Sequence, residues 1–508
     1  MQKLALEYLL ETRARVPDKT AVIDGERSIT FHELWRQSVW LGKRISAMAA
    51  CRNSTIVIDI DKSIDAVIAI LAVQFSGNIY VPFDSASPPQ RRQRMLETLG
   101  EARILTVADS GFLLDGAPLD PFAAVDDGDL DAIGRDLLEA LADRKNLDPL
   151  YVIFTSGTTG VPKGVAISNA AVIDYIDWAR NTYRVTDAEI IGNQAPLYFD
   201  NSVLDLYLTL ACGCTLHLIP GTRFLFPDDV LGYITEQGIN FVFFVPSLFS
   251  NFAAVDAFAG HDLSCLQKVL FAGEAMPLTT LRYLRSRLPA ALLSNLYGPT
   301  EITVDAIFRI FEDELDGLEN VPLGSACENK SIILIDAAGR PVDQPDTVAE
   351  ICVAGIGVAL GYWNDPQRTA EVFIQNPQHD HFPEKIYRTG DLGYRSSRDG
   401  LIYMTGRRDE QIKHMGYRIE PGEIECALSG LQQVTQCCVL YDNDNKEIVA
   451  FYTSSEDDTT LTDPRTLLAE QLPRYMMPRR FICLPHMPVT KNGKVDRSAL
   501  WENYRKQC

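Results

Sequence analysis

Basic charge is in short supply. The 508-residue chain carries 47 Lys and Arg against 68 Asp and Glu, a formal net charge of -21. Such a balance excludes a general attraction to nucleic acid or to an anionic membrane. Histidine is scarce as well: there are seven, dispersed, and His379 and His381 fall in a polar, Pro-containing loop where solvation is expected rather than metal binding. No Cys-x-x-Cys occurs among the eleven cysteines, which stand singly apart from Cys212-Gly-Cys214 and the neighbours Cys437 and Cys438. The odd total fits the reduced thiols of a cytoplasm better than a disulfide framework. Long apolar runs are missing too. The most apolar stretch, Ala66 to Val73, is far too short to span a bilayer, so the chain is not expected to be membrane-embedded. The N-terminus carries Glu7 and Glu11 at helical spacing within its apolar stretch, which excludes a good signal peptide and predicts a first amphipathic helix. No short internal repeat is visible.

What is present is the composition of a globular protein, 46% hydrophobic and 23% charged, in a chain too long for one ordinary core. Two or more domains are expected. From Leu6 to about Asn146, helical and strand patterns alternate. Thr30 and Glu33, ahead of an apolar run, have the spacing of a capping box. The acidic, Gly- and Pro-punctuated segment from Asp115 to Asp131 reads as a surface connection. Alternation continues to about residue 400, which implies parallel sheets with helices packed on them.

The stretch that organises the rest is Tyr151-Val-Ile-Phe-Thr155-Ser156-Gly157-Thr158-Thr159-Gly160-Val161-Pro162-Lys163-Gly164. An apolar, β-prone run ending in hydroxyls and glycines, with one lysine, is what a strand leading into a polyphosphate-holding loop should look like. Glycines let backbone N–H groups approach phosphates, the hydroxyls add donors, and Lys163 adds a mobile positive charge. It is not a Walker loop, because Gly164 follows Lys163 where that motif needs Ser or Thr. The loop resembles that of the adenylate-forming enzymes: acyl-CoA ligases, luciferases and the adenylation domains of nonribosomal peptide synthesis. The resemblance spans nearly the whole chain.

The resemblance implies an α/β fold. A large N-terminal domain of parallel-sheet α/β subdomains with a β-barrel-like subdomain, residues 1–408, would be followed by a small mobile α+β lid domain, residues 409–508, hinged at Asp409. It implies ATP and Mg²⁺ as cofactors and assigns roles to further blocks. In Asn295-Leu-Tyr297-Gly298-Pro-Thr300-Glu301, Tyr297 would stack on adenine, the Asn295 amide would face its amino edge, Thr300 would reach phosphate, and Glu301 would hold the metal. In Tyr387-Arg-Thr-Gly-Asp391-Leu, Asp391 would take the ribose hydroxyls with Arg407 as its neighbour. Lys494 would bridge the substrate carboxylate and the α-phosphate. The expected catalytic residues are Lys494, Thr155 and Lys413, the last in the segment Gln411 to Glu420 that enters the site when the lid rotates. Thr155, Ser156, Gly157, Thr158, Thr159 and Lys163 would line the nucleotide together with Gly298.

Phe199-Asp200-Asn201-Ser-Val-Leu204-Asp205 resembles the substrate block of amino-acid-activating members, in which Asp200 pairs with the α-ammonium group; its plain alternative is a helix cap. The pocket carried over from the family comprises Asp200, Asn201, Leu204, Phe244, Leu270, Ala272, Leu296, Val304 and Asp305, with Lys494. Bulky walls around one carboxylate favour glycine, because they exclude larger acids. Asp305 could accept a serine hydroxyl, attract a second amine, or turn into a polar network. D-alanine, serine and L-proline remain open. The chain ends at Cys508 without a Gly-Gly-x-Ser carrier site, so a separate phosphopantetheinylated carrier protein is the expected acceptor. This layout resembles the stand-alone ligases of teichoic-acid D-alanylation and of lipid A glycinylation. Rival readings are an acyl-CoA ligase and a non-catalytic ATP-binding regulator.

Overall fold

The computed structural model describes residues 3–49, 52–108, 111–119, 127–157, 160–312, 315–431, 433–443, 445–454, 463–489 and 495–505. Thr158, Thr159 and Lys494 lie outside these described residues. The chain forms two compact units. The larger comprises Met1–Ser85, Leu99–Ile153 and Gly164–Arg408; the smaller comprises Ala86–Thr98, Phe154–Lys163 and Asp409–Cys508.

A nine-stranded sheet dominates the larger unit. Leu292–Tyr297, Lys268–Phe271, Phe241–Phe244, Ile190–Asn193, Thr215–Leu218 and Thr20–Asp24 lie side by side and parallel. Antiparallel strands flank this set, Ile307–Phe311 and Ser325–Ala326 on one side and Arg27–Thr30 on the other. Strands such as Phe-Val-Phe-Phe and Lys-Val-Leu-Phe are nearly continuous apolar runs because both faces are covered. A second sheet has eight strands, with Ile79–Pro82, Thr55–Asp59 and Ala102–Ala108 parallel in its centre. The third is an antiparallel five-stranded sheet, and it stands where a barrel-like subdomain was expected. Its long strand Lys385–Arg395 pairs with Ala349–Gly355, Phe373–Gln375 and Ile402–Arg407.

The most apolar stretch of the sequence is the helix Ile64–Phe75, every residue of which is buried except Asp65. A helix apolar all round belongs in a core. Ser63 starts it by accepting the Ala66 N–H at 3.2 Å. Among the described residues no helix is long and apolar enough to cross a membrane. The N-terminal helix Glu7–Arg15 forms as read from the sequence, burying Tyr8, Leu9 and Thr12. Of the surface connection expected from Asp115 to Asp131, residues 120–126 lie outside the described residues; Asp115 to Pro118 are exposed, and a helix opens at Asp127. Ala117–Pro118 pairs with Gly111–Leu114, and Asp127–Ala140 is a helix burying Leu130 and Leu137 at heptad spacing. Gly134 of that helix faces Trp35, where an added Cβ would lie 3.2 Å from the ring. Apolar spacing outweighed the acidic composition there. His379 also differs from a solvated residue: its ring pairs with Glu384 at 2.7 Å, while His381 is exposed.

The smaller unit is α+β. Residues 412–419 form a hairpin of Ile412–His414 and Tyr417–Ile419, with Met415 and Gly416 both at positive φ as a tight primed turn requires. The strands Val434–Asp442, Glu447–Ser454 and Arg480–Cys483 make a three-stranded sheet. The helices Pro421–Ser429 and Arg497–Arg505 accompany it.

The capping box is formed. The Glu33 N–H donates to Thr30 Oγ1 at 3.1 Å and the Thr30 N–H to Glu33 Oε2 at 3.0 Å, opening the helix Phe31–Ala49. Thr30→Ala is expected to weaken this start by about 1 kcal/mol. Amide exchange in the first turn should then speed up about fivefold, with the rest of the helix little changed.

Candidate active site

Parallel α/β sheets place ligands at the carboxyl ends of their strands. In the larger unit those ends carry most of the residues singled out by the sequence. Leu292–Tyr297 runs into Gly298, where an added Cβ would lie 2.2 Å from the Val304 carbonyl. No side chain fits there, so the backbone turn can close tightly. Asn295, 4% exposed, commits its amide nitrogen to the Pro322 carbonyl at 2.8 Å. Its amide oxygen is therefore the group suited to an amino edge.

Tyr297 donates its hydroxyl to Asp391 Oδ2 at 2.5 Å, and Arg407 donates to Asp391 Oδ1. Burial, with the Asp391 charge beside it, pushes the Tyr297 hydroxyl well above its usual range, so it stays a neutral donor. Asp391 is 1% exposed. A buried carboxylate held on both oxygens presents a fixed acceptor, the requirement for a pair of ribose hydroxyls. The stretch of the strand Lys385–Arg395 that carries it is held by Glu350, which the sequence reading missed. Glu350 Oε2 accepts from Arg388 Nη2 at 2.6 Å and Arg408 Nη1 at 2.9 Å, and Oε1 accepts the Gly390 N–H at 3.1 Å. One acid inside the apolar strand Ala349–Gly355 was the available signal.

Thr300, Glu301 and Asp200 come together. Glu301 is fully buried, and its Oε1 accepts the Tyr362 hydroxyl at 2.8 Å. Asp200 precedes the helix Asn201–Cys212. Burial pushes the Asp200 carboxyl up to about 6; the Thr300 hydroxyl and the Asn201 N–H oppose this, and the Glu301 charge adds to it. Asp200 thus has a neighbouring acid and neutral donors, an environment that a bound cation would improve. Glu301 fits Mg²⁺, which takes one or two protein carboxylates and completes its shell with phosphate and water.

Leu204, Leu270, Ala272, Leu296 and Val304 are all buried in one apolar cluster. Phe244 is not among them. Strand alternation turns it into a second core with Phe249 and Phe271, while Phe243, the register partner of Leu270, joins the first cluster. Phe244, expected in the pocket, thus packs away from the other candidate wall residues, and Phe243 packs with them. The register continues from Leu270 to Ser294, whose hydroxyl lies 3.0 Å from that of Tyr183. Asp305 takes the third course open to it, the polar network. It accepts the Tyr175 hydroxyl on Oδ2 at 2.6 Å and is 1% exposed. Asn201 begins its helix half-buried.

In the smaller unit, Thr155 ends the strand Pro149–Thr155, and its Oγ1 is buried with no hydrogen-bond partner among the described residues. Ser156 Oγ donates to the Arg418 carbonyl at 2.7 Å, and the Gly157 carbonyl accepts the Gly160 N–H at 3.0 Å. An orphan hydroxyl beside a glycine turn fits a phosphate oxygen. Lys163 opens the next strand, Lys413 stands in the hairpin, and Asp409 accepts the Gln411 N–H at 3.3 Å. Among the described residues no group of three or more His, Cys, Asp and Glu is arranged to hold a metal.

Residues 9–363 match the family described as AMP-binding enzyme, and residues 423–494 match the AMP-binding enzyme C-terminal domain. The chain is 32% identical over 508 residues to zwittermicin A synthase ZmaJ of Bacillus cereus, covering 98% of this chain and 94% of that protein. It is 32% identical over 504 residues to bacitracin synthase 1 of Bacillus licheniformis, but spans 9% of that protein's length. Two solved structures share the fold. The Vibrio cholerae adenylation domain AlmE, in complex with glycyl-adenosine-5'-phosphate, aligns at a TM-score of 0.83 with 21% identity, covering 100% of this chain and 98% of that one. Holo-PA1221, a protein containing adenylation and PCP domains, aligns at 0.81 with 24% identity, covering 99% and 84%.

Glu350→Ala is expected to leave Arg388, Arg408 and the Gly390 N–H without their common acceptor. Arg408 and Arg388 keep access to solvent, so the loss is about 1–3 kcal/mol, mostly from the Gly390 N–H left without its acceptor. A thermal unfolding midpoint lowered by a few degrees would bear this out; an unchanged midpoint would show that the strand holds itself.

Proposed function

The chain belongs to the AMP-binding enzyme family, and from that premise we propose that it activates a small amino acid, glycine best, and loads it on a carrier protein. A carboxylate oxygen of the amino acid attacks the α-phosphorus of ATP. The bond from that phosphorus to the bridging oxygen breaks, and pyrophosphate leaves with the electron pair. The thiolate of a phosphopantetheine arm on a separate carrier then attacks the acyl carbon, and AMP departs as the thioester forms.

The observation that carries the amino-acid reading is Asp200. Its carboxyl is surrounded by neutral donors and the Glu301 charge, and burial raises it to about 6. An α-ammonium group supplies the missing cation; a fatty or aryl acid does not. Walls as bulky as Leu204, Phe243, Leu270, Leu296 and Val304, all buried, would leave room for glycine before any larger amino acid. Serine is disfavoured because Asp305 already accepts the Tyr175 hydroxyl. Asp391 and Arg407 are suited to the ribose, Tyr297 and Asn295 to the adenine. Thr155, Ser156, Gly157 and Lys163, with Thr158 and Thr159, are suited to the phosphates. Glu301 would hold the Mg²⁺, which when bound neutralises phosphate charge. Lys494 is assigned the bridge between carboxylate and α-phosphate, Lys413 the thiol-transfer arrangement, and Asp409 the hinge between them. A cytoplasmic enzyme serving cell-envelope, lipid A, modification is the setting we infer from the resemblance of the pocket to glycine ligases of that pathway.

Amino-acid-dependent ATP–pyrophosphate exchange tests the reading. Exchange driven by glycine, and weakly or not at all by either alanine, serine or proline, is expected. Exchange only with a fatty or aryl acid would overturn it.

The pH dependence has a definite sign. A carboxyl raised in the folded state adds stability that is full below its unfolded value and is lost as pH rises through about 6. Binding an ammonium group needs the ionised form, so the KM for the amino acid should rise by up to about tenfold per pH unit below 6. The KM for ATP should stay level over the same range. Asp200→Asn should raise the amino-acid KM and flatten its pH profile.

A further inference from the structure

Thr303 and Val304 both adopt left-handed backbone, with φ of 60° and 64°. A β-branched residue there is a true outlier, costing about 1–3 kcal/mol at each position. Two in succession persist only if something outside the turn enforces them. Three contacts do so. The Thr303 hydroxyl donates to the Gly357 carbonyl at 2.8 Å. The Asp305 N–H returns to the Thr303 carbonyl at 2.9 Å. The third is Lys330. Its Nζ donates to the Ile302 carbonyl at 3.4 Å and to the Asp305 carbonyl, and so ties the residues on either side of the strained pair.

A lysine this deep is expensive and needs a reason. Lys330 is 7% exposed, and burial pulls its ammonium below the usual range. The charged and titratable groups facing it are Asp305, Asp174, Cys327 and Tyr175, whose ring centroid lies 5.1 Å from Nζ. Space has been left for it: a Cβ at Gly357 would lie 2.5 Å from Lys330 Cε and 2.9 Å from the Ile302 carbonyl. On the far side of the ammonium, Tyr175 fixes the Asp305 carboxylate.

We infer that Lys330 is a positioning residue for substrate choice: with Tyr175, it clamps the Thr303–Asp305 turn and so sets where the Val304 and Asp305 side chains stand in the amino-acid pocket. This rests on the amino-acid reading of the site. Lys330 acts on the turn through main-chain carbonyls. Its charge is spent on two carbonyls whose separation defines the turn. Asp391 and Arg407, suited to the ribose, pair with each other across the third sheet and make no contact with Lys330, so the clamp bears first on the amino-acid side of the site.

The test compares Lys330→Met with Lys330→Gln, which keeps a donor without the charge, and with Tyr175→Phe, which removes only the hydroxyl on Asp305. In pyrophosphate exchange, Lys330→Met should raise the amino-acid KM about tenfold or more while the ATP KM moves less than about twofold. Lys330→Gln should recover part of the loss, and Tyr175→Phe should narrow the preference between glycine and alanine. Amide exchange over residues 302–306 should speed up in Lys330→Met without any substrate present. Unchanged exchange over 302–306 overturns the clamp, and so does a parallel rise in both KM values. If wild-type enzyme shows no amino-acid-dependent turnover but 302–306 loosens, the clamp stands and the proposed substrate falls. Should Lys330→Met not fold, Lys330→Gln is read in the same assays, with a smaller shift in the same direction expected and wild-type behaviour overturning the proposal.

Discussion

Buried negative charge is the constraint on which the larger unit depends. Glu301 and Asp391 are buried carboxylates and Asp200 a half-buried one, and a carboxylate withdrawn from water must be paired, hydrogen-bonded or protonated. Each is treated differently. Asp391 has a guanidinium and a phenol, and is fixed whether or not a ligand is present. Glu301 meets the phenol of Tyr362. Asp200 meets a hydroxyl and a backbone N–H, too little to hold it ionised at neutral pH with full ease, and its carboxyl rises accordingly. The gradient from satisfied to wanting maps onto function: the fixed acid suits a neutral diol, the unsatisfied one a cation.

Backbone, more than side chain, sets the shape of the region between them. Gly298 admits no Cβ, Thr303 and Val304 are held left-handed, and Gly357 makes way for a lysine. Glycine, strain and a buried ammonium are three solutions to one packing problem, in which two stretches of chain approach more closely than ordinary residues allow.

Much of this was legible in the sequence because it is local. The capping box at Thr30 and Glu33, the parallel α/β alternation and the blocks around Tyr297 and Asp391 are short patterns whose residues are close together in the chain. What stayed hidden is long-range or depends on register. Phe244 and Phe243 are indistinguishable by composition, and only pairing decides which of them packs on the side of Leu270. Glu350, Tyr175, Tyr362 and Lys330 act on residues far from them in sequence, through contacts that leave no local pattern. The helix from Asp127 was hidden for a different reason, since acidic composition masked the leucine spacing.

The closure at Gly298 bears on how such a site can change over time. Its neighbour across the turn is main chain, which substitution cannot trim, so this turn is inherited as a unit. Leu204, Leu270 and Leu296 instead project from a regular helix and regular strands. Exchanging them alters volume without disturbing a turn. Descendants of this chain can therefore vary at those leucines by single steps, whereas a change to the turn has to alter several residues at once.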